Sequence, residues 1–368
     1  MKNIALIGST GSIGRQVIKV VQDHPDKFKI VALVGGSDAK EFWRQVEQIK
    51  PVHAALACED REGAYAAAEL DCADVIFNAA SGFAGIGYSL RAVRAGKTLA
   101  LANKETLVCA SDVILPLNST RGGNIVPVDS EHSAIWQCLN FDCSRPVRRL
   151  IITASGGAFK GFTPEQLKGV TPEQALNHPT WKMGKKITVD SATLMNKGYE
   201  VIEAHALYKT PYSRIETVIQ PQSIVHSMVE FEDGAILAQM SYPTMELPIQ
   251  IALTYPERFS CGVQPMDFTR AFALGFEPIC RKNYPLFDLA LNCGEAGGTL
   301  PCAMNAADEV AVNAFLNKNL TYTDIFTVVD GVISATENEK VQSFEHLVEV
   351  DKLARETAKK IVNKIINR

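Results

Sequence analysis

The sequence predicts an α/β protein: an N-terminal Rossmann-like, doubly wound sheet, then a central α+β region, then a helical bundle. Three observations carry that reading. Short apolar runs alternate with amphipathic helical patterns through residues 1–130, capped helix starts and a hairpin signal mark the middle, and the final stretch is helical in pattern. A chain of 368 residues also exceeds what one hydrophobic core organises. The expected boundaries are a first domain over 1–130, a central domain over 131–255, a linker over 256–285 and a helical domain over 286–368.

Asn3 to Ile7 is an unbroken apolar run of the kind buried on both faces in a parallel sheet. A glycine turn follows, and then Ile13, Val17, Val20 and Val21 recur at helical spacing. A second strand, Ile30 to Val34, ends at Gly35-Gly36. Phe42, Val46 and Ile49 line a second helix, and strands follow at Ala54–Ala57, Val75–Phe77 and Thr98–Ala102. In the middle, Thr163-Pro-Glu-Gln166 and Thr171-Pro-Glu-Gln174 combine a Thr N-cap, a Pro at the first helical position and a Gln that closes a capping box. A helix is expected from about Ala192 to Tyr208. Asp233-Gly234 is a hairpin signal between Ser223–Phe231 and Ala235–Ser241. Residues 255–285 lack sustained periodicity. Helices are expected over Pro301–Leu316, Tyr322–Ala335 and Asp351–Ile366, the last with Leu353, Ala354, Ala358, Ile361 and Ile365 on one face.

Composition narrows the function. With 46% hydrophobic and 21% charged residues the chain is an ordinary globular protein, and no stretch approaches the ~20 apolar residues of a membrane span. A net charge of -4 gives no reason to expect nucleic acid or an anionic membrane as a general partner. The 9 cysteines include no Cys-x-x-Cys pair and read as reduced, mostly buried thiols. The N-terminus is apolar too briefly for a signal peptide, so a cytoplasmic protein is expected.

Gly8-Ser-Thr-Gly11-Ser-Ile-Gly14 lies between a strand and a helix, where a dinucleotide fold needs a tight turn and a helix N-terminus aimed at pyrophosphate. The alternative is a tight turn without a ligand. The second strand ends in Gly35-Gly36-Ser37 rather than an acidic residue, which favours NADP over NAD. Asp38 and Glu41 lie nearby, and Lys40 and Arg44 offer positive charge. In Pro127-Val-Asp129-Ser130-Glu131, two carboxylates two residues apart fall on the same side if the segment is extended. A solvated acidic loop or a helix N-cap at Asp129 is the plain alternative. Glu200 is expected on a helix, with Glu203 one turn later, and by itself reads as a surface residue.

Taken together, several motifs resemble the 1-deoxy-D-xylulose 5-phosphate reductoisomerase family over nearly the whole chain. They are the glycine string, Ala102-Asn-Lys-Glu105, Val128-Asp-Ser-Glu-His132, Ser155-Gly-Gly157, His178-Pro-Thr-Trp181, Val189-Asp-Ser-Ala-Thr193, Asn196-Lys-Gly-Tyr-Glu200 and Gln220-Pro-Gln-Ser-Ile-Val-His226. The resemblance implies a homodimeric enzyme that isomerises and reduces a ketose phosphate with NADPH and one divalent cation. Asp129, Glu131 and Glu200 would hold that cation, Mg²⁺ or Mn²⁺ with Co²⁺ also possible, since an all-oxygen set suits a hard ion. Its Lewis acidity would stabilise charge on substrate oxygens.

The resemblance further implies that Ser155, Ser191, Asn196 and Lys197 bind the substrate phosphate, and that Lys104, Ser130, Glu131, His178, Trp181 and Glu200 contact substrate, with Lys104 an active-site lysine. NADPH would meet Thr10, Gly11, Ser12, Ile13, Gly35, Gly36, Ser37, Asn103, Glu105, Met183 and Gly184. Residues 157–186 would form a flap, with Trp181 as its indole cover. The plain alternatives are a turn at Ser155-Gly156-Gly157, an N-cap at Ser191 and a surface lysine at Lys104. For His226, burial and function stand equal. Met245 matches the family's Met-x-x-Pro, while Glu246 stands where a basic residue is common. Two rival readings are an NADP-dependent dehydrogenase of an amino-acid semialdehyde, which needs no acidic triad, and a non-catalytic dinucleotide sensor.

Overall fold

A computed structural model describes residues 1–367. By contact density the chain forms two units: residues 1–106, 114–137 and 244–265, and residues 107–113, 138–243 and 266–368. Residues 244–265, read from the sequence as the end of the central domain and the start of a linker, thus belong to the first unit.

The first unit is built on β1 (Lys2–Ile7), α1 (Ser12–Asp23), β2 (Phe28–Gly35), α2 (Ala39–Ile49), β3 (His53–Leu56), α3 (Arg61–Ala66), β4 (Val75–Asn78), α4 (Ile86–Arg94), β5 (Thr98–Leu101), α5 (Glu105–Arg121), β6 (Asn124–Pro127) and α6 (Ser130–Cys138). The six strands run parallel in the order β3-β2-β1-β4-β5-β6. Ile4, Leu6, Ile7, Leu33, Ile76, Phe77 and Leu99 are fully buried in this sheet, as uninterrupted apolar strands require. Strand order reverses between β1 and β4, and a doubly wound sheet binds ligands beyond the carboxyl ends at such a point. On α1 the buried stripe is Val17, Ile18, Val20 and Val21. Glu246, the departure from the family pattern, pairs with Lys19 at 2.6 Å and opens a helix within the same unit.

In the second unit, β7 (Arg149–Ala154) leads through the short helices α7 (Pro164–Leu167) and α8 (Pro172–Ala175) to α9 (Lys185–Thr193) and α10 (Met195–Tyr208). Next come β8 (Ile215–Ile219), β9 (Val225–Glu230) and β10 (Ile236–Met240). The helix of the first unit, α11 (Glu246–Thr254), intervenes before β11 (Glu277–Pro278), α12 (Pro285–Ala296), α13 (Leu300–Leu316), α14 (Tyr322–Ala335) and α15 (Phe344–Ile366). The sheet order is β10-β9-β7-β8-β11, with only β7 and β8 parallel. Both Thr-Pro-Glu-Gln turns form complete capping boxes, and Asp233-Gly234 closes the β9–β10 hairpin with Gly234 at φ 86°.

Four sequence expectations need correction. The helix expected from Ala192 is two helices, broken at Leu194, whose φ of 57° is left-handed although no Gly or Pro marks the spot. The buried stripe of α15 is Leu347, Ala354, Ala358 and Val362, while Leu353 is 60% exposed. At ~100° per residue Leu347, Ala354, Ala358 and Val362 centre on the side of Ala354 away from Leu353, which therefore falls outside the stripe. α12, just past the stretch read as aperiodic, is a further helix beyond the three expected in the final segment. The thiols are free, but Cys58, Cys72, Cys143 and Cys280 are exposed and only Cys109, Cys138, Cys293 and Cys302 are buried. Among the described residues no helix is long and apolar enough to cross a membrane.

Candidate active site

In the first unit the glycine turn explains its own composition. Gly8 sits at φ 81°, and a side chain there would lie 2.5 Å from the Ala79 carbonyl oxygen at the end of β4. A methyl on Gly14 would come within 2.3 Å of the Gly8 carbonyl oxygen, so helix and turn can close only on a bare α-carbon. Gly11 is the N-cap of α1 and places no side-chain cap on its first turn. The amides of that turn, from Ser12 and Ile13 onward, are therefore available to an anion. If this turn holds the dinucleotide the sequence leads one to expect, Gly14→Ala raises that ligand's dissociation constant about tenfold through overpacking. Fluorescence titration with NADPH checks this.

At the end of β2, Gly35 packs under Phe42, while Gly36 and Ser37 are exposed. The nearby acids are already engaged. Asp38 caps α2 by accepting from the Glu41 amide at 3.1 Å, and Glu41 holds Arg44 at 2.7 Å. The acids nearest the end of β2 are thus held by contacts within α2. Asn103 lies inward: its amide donates to the carbonyls of Ala80 and Gly82 at 2.9 and 3.0 Å and to Glu105 at 3.0 Å, and it accepts from Thr106 at 2.7 Å. Glu105 also accepts from the Gly82 amide at 3.1 Å. Both residues brace the loop after β4.

Lys104 is buried rather than on the surface, and its ammonium is paired with Asp129. The Asp129–Glu131 segment is the start of a helix rather than extended, as the alternative reading of Asp129 had it, yet the two carboxylates still lie on one side, with oxygens within 4.8 Å of each other. Asp129 precedes α6, and Glu131 lies in its first turn. Asp129 accepts from the Ser130 amide at 2.9 Å, and the Ser130 hydroxyl donates to Glu131 at 2.6 Å. Buried His132 places Nδ1 3.9 Å from Asp129.

The second unit gathers most of the remaining residues. His178 Nε2 is 2.9 Å from the Ser155 hydroxyl and 3.1 Å from that of Ser191. Its Nδ1 accepts from the backbone amides of Thr180 and Trp181 at 3.2 and 3.0 Å. An imidazole nitrogen that accepts carries no proton, so Nε2 is the protonated atom and donates to a serine. Burial lowers the His178 pKa below its ordinary value, which keeps the ring in that neutral form. One ring thus joins both serines to the residues around Trp181. Gly157, at φ 71°, lets the turn after β7 approach α9, since a side chain there would meet the Ser191 carbonyl oxygen at 2.5 Å. Ser191 lies inside α9 and is not its N-cap, a position filled by Gly184, with Met183 just before it.

Glu200 is only 1% exposed, against the surface position its sequence context suggested. Asn196 and Lys197, one turn earlier on α10, both direct their nitrogens at it. His226 is buried on β9, with Nε2 3.1 Å from the Ser241 carbonyl and its ring edge-on to Trp181 at 6.0 Å. Its packing against the indole and its bond to the backbone explain its burial. The hub at His178 was not legible in the sequence, because a His-Pro dipeptide does not reveal which serines the ring will meet. Asp129 and Glu131 belong to the first unit and Glu200 to the second.

Comparison with known proteins bears on these residues. The family model for 1-deoxy-D-xylulose 5-phosphate reductoisomerase matches residues 4–65 and 56–111, and two models of its C-terminal domain match 125–208 and 240–357. The chain is 44% identical to the reductoisomerase of Pelotomaculum thermopropionicum over 387 residues, covering 100% of both. It is 46% identical to that of Heliobacterium modesticaldum, covering 97% of each. Among solved structures, a reductoisomerase in complex with NADPH, fosmidomycin and magnesium superposes with a TM-score of 0.94 at 33% identity, over 99% of each chain. The enzyme from Zymomonas mobilis in complex with NADPH gives 0.88 at 35% identity, over 98% of this chain and 99% of that one.

Proposed function

The chain belongs to the 1-deoxy-D-xylulose 5-phosphate reductoisomerase family, and from that premise we propose how its residues divide the work. It is an NADP-dependent oxidoreductase that converts 1-deoxy-D-xylulose 5-phosphate to 2-C-methyl-D-erythritol 4-phosphate in the non-mevalonate isoprenoid pathway. Its cofactors are NADPH and a divalent cation, Mg²⁺ or Mn²⁺. The observation that carries this is end-to-end similarity to reductoisomerases.

The site assignment follows the chemistry of the side chains. Residues 1–130 hold most of NADPH, the α1 amides and Thr10, Gly11, Ser12 and Ile13 taking the pyrophosphate and Gly35, Gly36 and Ser37 the adenosine end, while Met183 and Gly184 of the second unit meet the nicotinamide end. Asn103 and Glu105 hold the loop after β4 beside it. Asp129, Glu131 and Glu200 are the cation's ligands, all oxygen donors as a hard ion requires. The cation supplies Lewis acidity to the substrate's carbonyl and hydroxyl oxygens, and NADPH supplies the hydride. Lys104, paired with Asp129, is placed to neutralise charge beside those oxygens. Ser155, Ser191, Asn196 and Lys197 receive the phosphate with two hydroxyls, an amide and an ammonium. His178 orients the serines, and Ser130 orients Glu131. Trp181, on the flap 157–186, excludes water when substrate is bound.

We further assign catalysis and dimerisation to 131–255, a connecting role to 256–285 and a supporting helical role to 286–368. A homodimer is supported by β10, an edge strand that exposes Ile236, Leu237 and Met240. A cytoplasmic location is supported by nine free thiols. The deciding assay follows the loss of NADPH absorbance with 1-deoxy-D-xylulose 5-phosphate, with and without Mg²⁺ or Mn²⁺, and identifies the product. Cation-dependent oxidation yielding the branched tetritol phosphate is expected. No oxidation under either condition overturns the reading.

A further inference from the structure

Basic side chains at the start of a helix oppose its dipole. α9 nevertheless opens with Lys185-Lys186 and has no acidic residue in its first turn. Lys186 is engaged elsewhere. Its ammonium lies 2.7 Å from Asp190, one turn on, and 2.5 Å from Asp308 on α13. Both carboxylates are buried, Asp190 at 2% and Asp308 at 0% exposure. The phenol of buried Tyr199 on α10 donates to the same Asp308 oxygen at 3.2 Å, and the Lys186 ammonium stands 5.0 Å from the centroid of its ring. Burial and the nearby Asp308 and Asp190 hold the Tyr199 pKa well above its ordinary value, so it remains a donor.

One ammonium therefore ties three helices together. The chain positions next to this cluster are the ones that matter for substrate. Ser191 follows Asp190 and faces His178. Glu200 follows Tyr199, and Asn196 and Lys197 lie in the preceding turn. A charge-assisted bond fixes direction as well as distance, and burial makes it costly to break while leaving two carboxylates facing each other. We propose that Lys186 and Asp308 are positioning residues for the phosphate pocket, clamping α9 and α10 to α13 so that Ser191, Asn196 and Lys197 present one converged set of donors. The inference rests on the assignment of those three residues to the phosphate.

The test compares Lys186→Gln, Asp308→Asn, their combination, Asp308→Leu and Ser191→Ala. Each is measured for KM and kcat with the sugar phosphate, for the inhibition constant of inorganic phosphate, for NADPH affinity and for thermal midpoint. Lys186→Gln is expected to raise KM and the phosphate inhibition constant together by about tenfold, as misplaced donors do, with kcat within about twofold and NADPH affinity unchanged. The double variant, which removes the surplus buried carboxylate, should regain thermal midpoint yet keep the raised KM. A folded Lys186→Gln protein with both constants unchanged overturns the proposal. So does a double variant in which KM recovers along with stability, because the cluster would then only balance charge. If Lys186→Gln does not fold, Asp308→Leu decides: it keeps the Lys186–Asp190 pair and removes every acceptor on the α13 side, so a raised phosphate constant supports the proposal and an unchanged one in a folded protein overturns it. If Ser191→Ala leaves both constants at their starting values, the phosphate assignment itself fails and takes this inference with it. If Ser191→Ala raises them and Lys186→Gln does not, the clamp alone is wrong.

Discussion

Glu131→Gln is expected to lower kcat by about 10³-fold or more, equivalent to about 4 kcal/mol of transition-state stabilisation, while NADPH still binds with its original affinity. The substitution preserves shape and leaves an oxygen to accept from the Ser130 hydroxyl, which bonds Glu131 at 2.6 Å. What it removes is charge. A divalent cation with three carboxylate ligands has its charge more than neutralised, and an amide in place of one carboxylate weakens its retention as well as its alignment. Glu200→Gln should act in the same direction. It also leaves the buried ammonium of Lys197 without its carboxylate, so a loss of thermal stability should accompany the loss of rate. The measurement is kcat across a Mn²⁺ titration beside NADPH fluorescence. Turnover within tenfold of the parent at any cation concentration would remove these carboxylates from the ligand set.

The parts of the fold legible in the sequence were those where one local rule decides. Apolar strands and the glycine string gave the parallel sheet, and Gly8 and Gly14 turn out to be required by two carbonyl oxygens that no other residue could approach so closely. The Thr-Pro-Glu-Gln repeats gave two helix starts through side-chain capping alone. Legibility failed where tertiary contact outweighs local preference. Leu194 takes a left-handed conformation that its own side chain disfavours, and no residue type in the sequence marks the break between α9 and α10. The spacing of Asp129 and Glu131 left an extended segment and a helix start at Asp129 both open, and only the structure decides for the helix. Glu200 read as a surface residue because burial of a carboxylate depends on partners, and Lys197 and Asn196 are recognisable as partners only once a helix sets them one turn away.

The same dependence on partners makes His178 the most informative single side chain in the second unit. His178→Phe retains a flat ring of similar bulk but loses the contacts to Ser155, Ser191, Thr180 and Trp181. A fall in kcat/KM of about 10²-fold is expected, because donors displaced by ~1 Å no longer converge. The pH dependence has a defined sign. Burial lowers the folded-state pKa of His178 below the ordinary 6.5, so its contribution is fully present above that value and is lost as pH falls through the lowered one. Protonation places a hydrogen on Nδ1, where the amides of Thr180 and Trp181 already point, and two donors then confront a third. The parent should therefore lose kcat/KM on the acid side through the release of Trp181 and its neighbours, and His178→Phe, already without those bonds, should show a flatter acid limb. An acid limb of the same slope and midpoint in both proteins would assign that titration to another group and leave His178 with packing alone.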